Sequence, residues 1–174
     1  MLEDPPELGD VHSPTPYLWQ VARAYRFFHR YSEARAAGTR FEATGWNDIE
    51  DFMWAFFQNA WHIKDWLKND PTLNDVLKQV LMSEIHGTES LLLCADLANG
   101  SKHFGSDPDR DKIGATDQQI ELSCTTGGVT ITDHIIVTGN GKRLTALALA
   151  RWVLNDWRDL LVRHKLVSPS TAAV

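Results

Sequence analysis

The sequence predicts a mainly α-helical protein, a four- to five-helix bundle with a small antiparallel β-hairpin inserted before the last helix. Three observations carry this expectation. Apolar residues recur at three- and four-residue steps through most of the first hundred positions. The period changes to alternation at about 118–138, and helical spacing then returns up to about residue 166.

Taken in order, residues 1–14 are acidic and proline-rich and read as a flexible N-terminal arm. From Pro16 onward Leu18, Val21, Tyr25, Phe28 and Tyr31 mark a first helix, with Arg23, Arg26 and Arg30 between them, and Gly38 ends it. Asn47 with Glu50 three residues later reads as a capping pair opening the second helix. This segment is apolar around much of its circumference (Phe52, Met53, Phe56, Ala60, Ile63 and Leu67, widened by Trp54, Phe57, Trp61 and Trp66), the mark of a central helix.

Asp70 and Pro71 are expected to stop it and cap the third helix, whose Leu73, Val76, Leu77, Val80 and Leu81 should face inward. His86 and Gly87 break that helix, and Thr88 opens a fourth that finishes near Gly105. Ile120, Leu122 and Cys124 then alternate with polar partners, Gly127 and Gly128 turn, and VTITDHIIVTG resumes the alternation, a ribbon of two or three strands. Asn140 and Gly141 turn into a last helix beginning at Lys142, with Pro169 as its stop. The division is thus one domain at 15–166, with the arm before it and a disordered tail at 167–174.

With 174 residues, 43% hydrophobic and 23% charged, one core can form without a metal or disulfide staple. A net charge of −6 argues against broad attraction to nucleic acid or anionic membrane, and leaves local basic sites open. No window of eighteen apolar residues exists and the start lacks a signal-peptide pattern, so a cytoplasmic protein without a membrane segment is expected. Cys94 and Cys124 lack zinc or redox spacing and read as buried thiols.

The chemistry-bearing candidates fall on two helices. On the fourth, Asp96, Asn99 and His103 stack on one face beside Gly100, with Lys102 at the end. On the second, Asn59, His62 and Asp65, with Trp66, form another polar stripe. Packed face to face, the two stripes would join a general acid and base to an electrophilic helper. A stripe of this kind is as readily a hydrogen-bond network that sets helix register. Neither the histidine spacing of zinc hydrolases nor a P-loop is present, Thr138 to Lys142 matching the latter only faintly, so no metal or cofactor is expected. Arg23, Arg26 and Arg30, with His29, read as a solvated face or a local phosphate contact.

A helical bundle carrying a polar motif that ends in histidine resembles the HEPN superfamily over residues 15–166. The segments WHIKDWLKND and CADLANGSKH also resemble a group of uncharacterised bacterial proteins. The HEPN resemblance implies a metal-independent RNase or small-nucleotide-binding module acting as a homodimer, here in bacterial or phage defence or stress. The family pattern, an arginine and a histidine with four to six residues between them, is not met ahead of His103, because Asp96, Leu97 and Ala98 fill the allowed positions. Arg23 with His29, and Arg158 with His164, do meet it. For a nuclease of this kind the resemblance implies a histidine and a phosphate-stabilising cation, roles open to His103 with Lys102 or to His164 with Arg158. The competing expectation is a non-enzymatic interaction protein whose polar stripe is packing or a partner groove.

Overall fold

The structure, a computed structural model, describes residues 15–37, 45–103, 117–125, 128–137 and 143–168. The flexible arm expected at 1–14 and the turn expected at Asn140 and Gly141 lie outside them. The described elements are α1 (Pro16–Ala37), α2 (Gly45–Asn69), α3 (Asp75–Gly87), α4 (Glu89–His103), β1 (Asp117–Thr125), β2 (Gly128–Val137), β3 (Arg143–Thr145) and α5 (Ala146–Arg163). This is a mainly helical bundle with the β-ribbon ahead of the last helix, as the periodicity predicts.

α2 is central because apolar side chains leave it on nearly every side. Met53, Phe56, Phe57, Ala60, Ile63 and Leu67 are fully buried, and each large side chain removed from water contributes on the order of 1.5–3 kcal/mol. α1 runs antiparallel along it. Phe28 stacks on Phe56 with ring centroids 5.8 Å apart, while Tyr17, at the opposite end of α1, feels the charge of Asp70 just past the end of α2. α4 adds Leu91, Leu93, Cys94 and Leu97, and α5 adds Leu149, Val153, Trp157 and Leu161.

Four boundaries differ from expectation. α2 begins at Gly45, so Asn47 sits inside the helix and not at its cap. The Glu50 carboxylate instead accepts from the Trp54 indole at 3.2 Å, one turn on. Asp70 and Pro71 do not open α3. Asp70 Oδ1 accepts from the Thr72 N–H at 2.8 Å and from its hydroxyl at 2.6 Å, a local turn that competes with helix initiation. α3 then starts four residues later, where Asn74 accepts the Leu77 N–H at 2.9 Å. Its buried side is Leu81 and Ile85, with Leu77 half-buried. Val76 and Val80 are 73% and 41% exposed and not inward. Each precedes a core-side leucine by one residue, and one residue turns a helix by about 100°.

The third difference is at the end of the ribbon. Residues 143–145, expected as the first turn of the last helix, form β3, which pairs antiparallel with β2 from Ile135↔Thr145 to Val137↔Arg143. Thr145 then caps α5, its hydroxyl accepting the Ala148 N–H at 3.1 Å. β1 pairs antiparallel with β2 from Asp117↔Val137 to Thr125↔Gly128, and the register shifts between Glu121 and Leu122, so the order is β1-β2-β3.

α5 closes with Lys165 in the left-handed region, at φ 57°. The Leu166 N–H donates to the Leu161 carbonyl at 2.8 Å and the Lys165 N–H to the Val162 carbonyl at 3.0 Å, the paired bonds of a Schellman ending. Leu166 and Val167 turn back to pack on the core. Val167, expected to begin the disordered tail, is therefore part of the fold, whereas 169–174 lie outside the described residues.

Candidate functional site

The sequence places its chemistry on α2 and α4, and the described contacts divide those residues among several neighbours. Asn59 is turned to α1. The Gln20 amide donates to the Asn59 carbonyl at 2.8 Å and to its Oδ1 at 3.2 Å, and the Asn59 amide donates to the Ala55 carbonyl at 2.7 Å. Gln20 is itself 1% exposed, so the amide pair is an interior tie between helices. Trp66 lies on the same flank, with the Arg23 guanidinium 6.0 Å from its ring centroid. Asp65 pairs with the adjacent Lys64 at 3.4 Å, and its side chain is 49% exposed. His62 is half-buried.

The side of α2 that meets α4 is elsewhere. The Cys94 thiol of α4 donates to the Phe57 carbonyl at 3.4 Å, and Phe57 and Asn59 are two residues apart, a turn of about 200°. Asn59 and Trp66 therefore do not face α4 as the joined stripes require. On α4 itself Asp96 is half-buried and takes part in an interaction of its own, while Asn99 is exposed. Lys102 and His103 fall in the last turn of α4, and their side chains lie outside the described residues.

The α5 pair separates too. His164 Nε2 stands 3.0 Å from Glu84 Oε1, and Arg163 donates to the other oxygen of the same carboxylate at 2.8 Å, so Glu84 ties α3 to the end of α5. Arg158 donates from Nε and an η nitrogen to Asp159 Oδ1, both at 3.1 Å. Its charge also reaches Tyr25 of α1, whose phenol burial pushes up and the guanidinium pulls partly back. His164 thus serves the α3 side of the bundle and Arg158 the α1 side.

Several polar groups escaped sequence reasoning. Ser90, fully buried, donates to Asp156 Oδ2 across α4 and α5. Tyr17, 3% exposed, donates to the Leu166 carbonyl at 2.9 Å, and burial followed by the Asp70 charge pushes its phenol up. Asp70 is 1% exposed with Oδ2 unpartnered. Ser90 and Tyr17 each bond to a segment distant in sequence, where periodicity carries no pairing signal, whereas the sequence marks Asp70 only as a cap.

Cys94 is a free thiol with no solvent exposure, and burial pushes its ionisation far up, which leaves it unreactive. Among the described residues no group of three His, Cys, Asp or Glu side chains is placed to hold a metal ion, and no helix is long and apolar enough to cross a membrane. Comparison with protein-family models, with curated proteins and with solved structures gives no match.

Proposed function

We propose that this chain is a non-catalytic helical binding module whose inter-helix polar residues set packing. The observation that carries the reading is the commitment of Asn59 to Gln20 on the α1 side of α2. It turns Asn59 toward α1, and His164 is likewise held by Glu84. Buried and half-buried amide, hydroxyl and carboxylate pairs of this kind fix helix register and spacing.

The competing reading is a HEPN-like, metal-independent RNase working as a homodimer. Incubating the purified protein with labelled RNA, with and without EDTA, separates the two, alongside its mass in solution. The expected result is intact RNA in both arms, with His164→Gln changing melting temperature and nothing else. RNA cleavage that persists in EDTA and disappears in His103→Ala or His164→Gln, with helicity retained by circular dichroism, would overturn the binding-module reading.

A further inference from the structure

The outer face of α1 is the place where charge and aromatic surface coincide. α1 carries four arginines against one glutamate in a chain whose net charge is −6. Trp19, Arg23, Arg26 and Arg30 fall within a wedge of roughly 60° on this helix, along a rise of about 16 Å. All four are exposed, and Trp19, at 51%, is one of three exposed large apolar side chains among the described residues. An indole half in water contributes little to folding, so its place on this face is unexplained by the core.

The arginines are available as well as exposed. Among the described residues no carboxylate is ion-paired with Arg23, Arg26 or Arg30. Arg23 lies against the Trp66 ring at 6.0 Å and Arg30 against the Phe27 ring at 5.8 Å. A guanidinium resting on a ring keeps N–H edges for a phosphate while its reach is restricted. Glu33 marks the far end of the ridge, past Arg30.

From this ridge we infer a docking surface for a short stretch of single-stranded nucleic acid. The inference rests on the reading of the chain as a binding module and names its partner. Trp19 supplies the flat face on which an unpaired base stacks, and the three arginines follow the sugar-phosphate strand along the helix. A single strand suits the ridge better than a duplex, because stacked and paired bases offer no open face to an indole on a convex helix. The net acidity of the remaining chain confines attraction to this face and holds overall affinity down.

The test is fluorescence anisotropy of a labelled uridine-rich RNA of roughly ten nucleotides, with its DNA counterpart, its duplex and polyglutamate as comparison arms. The expected results are binding of both single strands, a loss of about tenfold in Trp19→Ala, and a salt slope smaller by about 2 when all three arginines become Gln. These side chains are exposed, so the variants should keep the wild-type melting temperature, which circular dichroism checks. The inference is overturned if no single strand binds, if the Arg→Gln variant binds as wild type does, or if the duplex or polyglutamate binds equally well. Recovering the RNA on a gel keeps the two readings apart. Intact, unbound RNA sinks the ridge alone, whereas bound and cleaved RNA sinks the non-catalytic reading alone.

Discussion

α2 and α3 are joined by only residues 70–74, and both read as apolar helices, yet one is the centre of the bundle and the other its rim. Along α2 six core positions between Met53 and Leu67 have no solvent exposure, with Trp61 among them at 9%, while α3 buries only Leu81 and Ile85 completely. The difference lies in angular spread. Apolar residues on α2 surround the helix and find α1, α4 and α5, whereas those on α3 occupy adjoining stripes of which only one has a neighbour. Hydrophobicity alone therefore does not locate a helix in the bundle.

Three substitutions probe that contrast, the largest first. Phe56→Ala removes a ring packed on Phe28 and Phe57 at 5.8 Å and 5.0 Å, and should lower unfolding free energy by about 3–5 kcal/mol. Urea denaturation measures it, and a cost below about 1 kcal/mol would deny α2 its central place. On α3 the cap matters more than the valines. Asn74→Ala removes the acceptor for the Leu77 N–H and should cost about 1 kcal/mol by the same measurement. Val76→Ala, at 73% exposure, should stay within about 0.5 kcal/mol. A larger loss for Val76→Ala that grows with protein concentration would mean that a second copy covers this face in solution.

The helices, the ribbon and its position before α5 were legible in the sequence because each rests on a local period. Pro16 opens α1, and alternation from Ile120 to Val137 marks the paired strands. What was not legible depends on competition or on neighbours. Asp70 and Asn74 are both good caps, and only the turn closed by Thr72 decides that Asn74 opens the helix. Asn59, His62 and Asp65 share a stripe by spacing, but spacing does not say whether that stripe meets α1 or α4, and Gln20 decides it for Asn59. Glu84 falls in none of the stripes that the period marks, and the end of α5 brings Arg163 and His164 to it. Spacing thus groups residues on one face of a helix, while the partner of that face is set by neighbours that the period does not encode.

The bond from the Tyr17 hydroxyl to the Leu166 carbonyl brings the entrance and exit of the packed core side by side. A short glycine-serine bridge joining positions 15 and 167 should therefore leave the bundle folded, which the melting temperature of the closed chain checks.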